Sequence, residues 1–136
     1  METITEHVVN PANDRLTITV EDEPGQGNAC HLYMIRGFDT PTNPSDPFTL
    51  RHGGPAHHAT ILFQNGPIAE GGVGVNGVTH EALLAILIDR LEGFQAGRYA
   101  CAENHDALSA LKDAMQRLQS RTKARMARGV EGTQAA

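Results

Sequence analysis

The stretch "THEALLAILIDRLEGFQAGRYACAENHDALSALKDAMQRL", residues 79 to 118, decides the fold. Thr79 is placed to cap a helix and Glu81 suits the positive end of its dipole, while Leu83, Leu84, Leu87, Leu91 and Phe94 recur on one face. This spacing predicts a helix ending near Gln95, with Gly97 as its breaker. From Ala102 onward, Leu108, Leu111, Met115 and Leu118 alternate spacings of three and four, which gives a coiled-coil-like seam. Two amphipathic helices joined by so short a turn must fold back on one another as an antiparallel hairpin.

Upstream the periodicity changes. In "RLTITV" (15 to 20), Leu16, Ile18 and Val20 alternate with polar neighbours, the period of a half-buried strand. The acidic, glycine-containing "EDEPGQGN" (21 to 28) reads as a turn, "ACHLYMIRGF" (29 to 38) as a second strand and "ATILFQ" (59 to 64) as a third. Between Asp39 and His58 the density of Pro, Gly and His predicts a wandering loop. The first dozen residues are polar and are expected to fray. The fold class is therefore α+β, a small N-terminal antiparallel β-sheet followed by a C-terminal antiparallel helical hairpin. We expect a single domain over 1–136, with a β portion at 13–66, a glycine-rich loop at 67–78, the hairpin at 79–128 and a tail at 129–136.

Composition bounds the chemistry. Aromatic residues make up 4% of the 136 residues and hydrophobic ones 40%, so the core has to be built of Leu, Ile, Val and Ala. A net charge of −5 argues against indiscriminate nucleic-acid binding, which draws its energy from a basic surface, and no DNA partner is expected. Cys30 and Cys101 lack CxxC spacing, no apolar signal segment follows Met1, and "ALLAILI" (82 to 88) is too short to cross a bilayer. The expected setting is a reducing cytoplasm without membrane attachment.

Gly72, Gly74 and Gly77 spell GxGxxG ahead of a helix, the fingerprint of dinucleotide enzymes. That fold needs a tight strand-to-helix turn and a parallel strand after the helix. Here a long loop precedes Thr79 and a second helix follows, so the dinucleotide reading fails. Two readings of the loop stand. Its glycines meet a need for positive φ or close backbone approach, or Asn76 and Gly77 offer exposed N–H groups to a phosphate at the helix start.

Other chemistry is sparse. His52, His57 and His58 cluster in "HGGPAHH", but no carboxylate or Cys stands in zinc-site register beside them, so no metal is expected. Cys101 and His105 lie four apart without a visible activating setting, and no acid and base pair is recognisable, so no catalytic residue is assigned. Positive charge is concentrated instead: Lys112, Arg117, Arg121, Lys123, Arg125 and Arg128 fall in one segment with Asp113 as the local acid. Arg121, Arg125 and Arg128 share a helix face that could grip phosphates or simply be solvated. Around the hairpin turn, Phe94, Arg98, Tyr99 and Asn104 supply rings, a guanidinium and an amide, the parts that stack a base and read its edge. Each has a structural alternative, Phe94 closing the core and Asn104 capping the second helix.

As a string, "ILFQNGPIAEGGVGVNGVTHEALLAILIDRLEGFQAGRYACAENHDAL" followed by "LQSRTKARMARGVEG", residues 61 to 132, resembles the phage Thoeris anti-defence sponge family, which shares its hairpin with anti-CBASS sponges. The resemblance implies a protein that captures cyclic ADP-ribose signals, glycocyclic isomers made by TIR proteins, without degrading them, in the host bacterial cytoplasm. It also implies a second site for cyclic di- or trinucleotides, no cofactor, and homo-oligomers ranging from dimers to a hexamer built as a trimer of dimers. On the matching positions Phe94 would stack the adenine and Asn104 would hydrogen-bond the ligand. Arg121 would serve the oligonucleotide site, and Arg125 and Arg128 match the family's basic tail. This chain departs in having Ala69 after "GPI", where a basic residue is common, and in a glycine loop two residues longer. Two other readings are a nucleotide-hydrolysing enzyme, which would need a metal or an acid and base pair, and a nucleic-acid-binding module using the basic helix.

Overall fold

The computed structural model describes residues 2–12, 14–46 and 57–133, and the chain gathers into two compact units, Met1–Phe63 and Gln64–Ala136. The first holds strands β1 (Thr3–Ile4), β2 (Thr17–Val20), β3 (Leu32–Arg36) and β4 (His58–Leu62), paired antiparallel in the order β1-β2-β3-β4. Register explains why this sheet forms. Val20 pairs with Tyr33 and Tyr33 with Ile61, while Ile18 faces both Ile4 and Ile35. One face is thereby apolar across all four strands, and Thr3, Thr19, Met34 and Thr60 alternate onto the other. Val20, at 7% exposure, is the buried hydrophobic centre, and Tyr33 meets Phe63 edge-on at 5.7 Å.

The N-terminus corrects the sequence reading. Residues expected to fray contribute β1, because Ile4 pairs with Ile18 and the Glu2 carbonyl accepts from the Val20 amide at 2.8 Å. The polar residues that follow are self-satisfied: the Asp14 carboxylate accepts from the amides of Val9 (2.8 Å) and Asn10 (2.7 Å), and these bonds hold its pKa below the ordinary carboxylate value. Composition could not distinguish this local capping from disorder.

A second carboxylate trims the predicted strand 29–38. Asp22 Oδ1 accepts from the amides of His31 and Leu32, both at 3.0 Å, so the β2–β3 connection is pinned at its base. At the other end Gly37, with φ 100°, lies so close to the Arg15 carbonyl that a Cβ would stand 2.1 Å from its oxygen. Of the expected loop, residues 40–46 form successive turns, while 47–56, with His52, lie outside the described residues.

The second unit carries α1 (His80–Gln95) and α2 (Ala102–Ala127), packed as the expected hairpin. Thr79 caps α1 by accepting from the Ala82 amide at 3.1 Å. The cap of α2 is the Cys101 sulfur, which accepts from the Asn104 amide at 3.4 Å, so Asn104 does not cap the helix. Leu83, Leu84, Leu91 and Phe94 are half-buried, as are Leu108, Leu111, Met115 and Leu118 opposite them. Leu87, expected in the seam, is 47% exposed, and Ile88 is half-buried in its stead. Among the described residues no helix is long and apolar enough to cross a membrane.

The Asp22 bonds, led by that from Leu32, lower its pKa, so the folded unit favours the carboxylate. A depressed folded pKa contributes stability that is present above the unfolded value and lost as pH falls through the folded one. Hydrogen exchange should find the His31 and Leu32 amides protected at neutral pH and losing protection as pH drops below the unfolded carboxylate value, with Asp22→Asn exposing them at every pH. Protection independent of both would mean that Asp22 does not pin the hairpin.

Candidate functional site

The turn between α1 and α2 is closed by one side chain. Gln95 Nε2 donates to the Cys101 carbonyl at 3.2 Å, and Gln95 Oε1 accepts from the Cys101 amide at 3.0 Å. With both backbone groups of Cys101 held, the five intervening residues are fixed into a short arch. On this arch Phe94 and Tyr99 meet edge to face, their centroids 6.2 Å apart and their planes at 82°. Tyr99 is 61% exposed and Phe94 half-buried.

Charge surrounds the two rings. The Arg98 guanidinium carbon lies 5.1 Å from the Tyr99 centroid, and its Nη2 donates to the Tyr99 hydroxyl at 3.2 Å. The Arg90 guanidinium carbon lies 5.1 Å from the Phe94 centroid. Asn104 Nδ2 donates to the Tyr99 carbonyl at 3.4 Å, which leaves its amide oxygen without a partner among the described residues. The structure thus brings Phe94, Arg98, Tyr99 and Asn104 together as one cluster. Sequence reasoning missed Arg90 and Gln95. Arg90 stands four residues before Phe94, the helical spacing that puts two side chains on one face, and that spacing was the available signal.

Asn76 and Gly77 lie elsewhere. They precede α1 and stand about 20 Å along its axis from Phe94, at a rise of roughly 1.5 Å per residue. Asn76 is an organiser of the loop: its Oδ1 accepts from the Asn65 amide (2.9 Å), its Nδ2 donates to the Asn65 carbonyl (2.7 Å), and its own amide donates to Gln64 Oε1 (2.9 Å). Gln64 Nε2 in turn donates to the carbonyls of Gly66 (3.1 Å) and Gly74 (2.8 Å). Close approach also shapes the loop, for a Cβ on Gly72 would stand 2.1 Å from the Pro67 oxygen.

The three arginines of α2 do not share one environment. Arg121 is exposed and has no carboxylate partner among the described residues. Arg125 is 7% exposed, donating from Nε to Glu131 Oε2 at 2.9 Å and from Nη2 to the carbonyls of Val130 (3.0 Å) and Thr133 (3.2 Å). Arg128 is the helix C-cap, followed by Gly129 at φ 72°, whose amide donates to Met126 while that of Val130 donates to Arg125, a Schellman ending. The tail then folds back until the Gly132 carbonyl accepts from the Ala69 amide at 2.9 Å. Of the remaining cations, Lys112 reaches Glu92 on α1 at 3.7 Å and Arg117 pairs within α2 with Asp113 at 3.1 Å, so part of the basic run is neutralised across the hairpin and part along its own helix.

Among the described residues the histidines form no competing cluster. His57 pairs with Asp39 at 3.0 Å, a carboxylate that sequence distance had hidden, and among the described residues no three His, Cys, Asp or Glu side chains gather to hold a metal.

A β unit followed by a helical hairpin, with rings, guanidinia and an amide gathered at the hairpin turn, defines a small α+β protein of the helical-hairpin type. The family model described as Acb2/Tad1, hairpin domain matches residues 55–123, and the chain belongs to that family. A similar protein, Thoeris anti-defense 1 of Bacillus phage SBSphiJ7, is 47% identical over 75 residues, which cover 55% of this chain and 51% of that relative. The chain therefore spans about half the length of the relative it matches.

Arg125→Ala should destabilise the hairpin unit by about 1–3 kcal/mol, because it removes the buried guanidinium that holds Glu131 and the tail carbonyls, and should release residues 129–133 to proteolysis. Arg121→Glu, at an exposed site, should alter stability by no more than about 0.5 kcal/mol. Equal melting temperatures for the two variants would remove Arg125 from the tail lock.

Proposed function

We propose that this chain is an anti-defence sponge. It binds a cyclic ADP-ribose-type signalling nucleotide at the hairpin turn and holds it intact, as an immune signal withdrawn from its effector rather than as a substrate. The observation that carries this reading is the turn cluster itself. Exposed Tyr99, met edge-on by half-buried Phe94, offers a stacking surface, Asn104 keeps an acceptor oxygen unpartnered among the described residues for an exocyclic amine, and the guanidinia supply charge for phosphate, all around a turn that Gln95 closes. The relative named Thoeris anti-defense 1 supports the biological setting, the host bacterial cytoplasm during phage infection. Glycocyclic isomers made by TIR proteins are the ligands we assign first.

Packing supports function as an oligomer. Among the described residues no side chain is fully buried, and α1 exposes Ile86 at 65% and Leu87 at 47%. A second copy covering α1 accounts for these residues. Packed antiparallel, it would carry its own Asn76–Gly77 loop toward the first copy's turn and enclose the ligand, and a hexamer would be a trimer of such dimers. A second site for cyclic di- or trinucleotides would use Arg121, with Arg128 beside it. Arg125 would serve that site indirectly, through the tail it holds.

The test is calorimetric titration with cyclic ADP-ribose isomers, followed by heat release and chromatography of the ligand. Tight binding with the ligand recovered unchanged is expected, and Phe94→Ala should abolish it while the oligomer and its melting temperature stay as in the parent. Recovery of a cleaved ligand would make the protein an enzyme. Unfolding of Phe94→Ala would return that ring to the core.

A further inference from the structure

Arg90 has so far been given no ligand group of its own. It is exposed, it lies one helical turn before Phe94, and its guanidinium carbon stands 5.1 Å from that ring's centroid. Its charge is not spent on a carboxylate: among the described residues Lys112, Arg117 and Arg125 each have an acidic partner within 4 Å, whereas Arg90 and Arg98 have none. Each of these two covers an aromatic ring at the same distance, and the two rings contact each other. The contacts run in series from guanidinium to ring to ring to guanidinium. A guanidinium over a ring keeps N–H donors for a bidentate anion, and the ring's negative face holds the cation in place without neutralising it.

We propose that Arg90 is a specificity-determining ligand contact of the turn site, binding one anionic group at the Phe94 ring while Arg98 binds another at the Tyr99 ring. The site therefore selects ligands that combine a flat base with two negative charges, such as a nucleoside diphosphate linkage, over uncharged nucleosides. This rests on the turn cluster being the ligand site. A purely structural role, in which Arg90 only orients Phe94, would act alike on charged and uncharged ligands. An anion contact acts on charged ligands alone and adds salt dependence, because the interaction is screened.

The experiment titrates the full chain and its Arg90→Ala and Arg90→Lys variants with cyclic ADP-ribose and with adenosine, at low and high salt, after circular dichroism has verified an unchanged melt. Arg90→Ala should weaken cyclic ADP-ribose by about tenfold to a hundredfold, the range for a hydrogen bond to a charged group, should flatten its salt dependence, and should leave the weaker adenosine binding unchanged. Arg90→Lys should restore the salt dependence but only part of the affinity, since an ammonium cannot bind bidentately. If the parent binds and Arg90→Ala weakens both ligands equally, or leaves the salt dependence as it was, Arg90 is not an anion contact although the site stands. If the parent binds neither ligand while Phe94→Ala behaves as the parent does, the site assignment fails and the proposal with it.

Discussion

The candidate site depends on one amide. Gln95 satisfies both backbone groups of Cys101, and by doing so it fixes where α1 ends, where α2 begins and how far apart their first and last turns stand. Everything that could touch a ligand hangs from those two points: Phe94 precedes the clamp by one residue, Arg98 and Tyr99 lie inside it, and Asn104 follows from the first turn of α2. A turn that relied on side-chain packing alone would leave these groups to average over many geometries. Preorganisation of this kind lowers the ordering cost that any ligand bound at the turn would have to offset.

How much of this was readable in the sequence differs by kind. The hairpin was, because helix periodicity and spacing are local properties, and "EALLAILIDRL" and "ALSALKDAMQRL" carry them openly. The three longer strands were, for the same reason. β1 was not, since two residues have no period and their only reason to be a strand is Ile18 across the ladder. Phe94, Arg98, Tyr99 and Asn104 could be named as a group because the turn makes them neighbours. Arg125 could not be told from Arg121 by residue type or spacing, as the distinction lies in a glycine ending that folds Glu131 and the tail carbonyls back over one arginine and past the other. Arg90 was overlooked because it reads as one charge of a solvated helix face.

The glycine motif illustrates the same limit from the other side. Its spacing imitates a phosphate loop, yet the loop is stiffened by Gln64, whose side chain bonds the backbones of Gly66, Gly74 and Asn76, and by Asn76, whose side chain bonds that of Asn65, and Gly72 is there because the Pro67 carbonyl leaves no room for a Cβ. The spacing of glycines reports that a backbone comes close to something. It does not report whether that something is a nucleotide or another stretch of the same chain.

The bond between Ala69 and Gly132 has a topological consequence. It sets the entrance and the exit of the helical unit one hydrogen bond apart, so the segment between them is a closed loop of structure whose chain leaves where it came in. Such a unit can be spliced into a surface turn of another protein, or rejoined end to end and opened elsewhere, without displacing either helix. The hairpin is thus closed at its base by backbone alone, with its two ends held side by side.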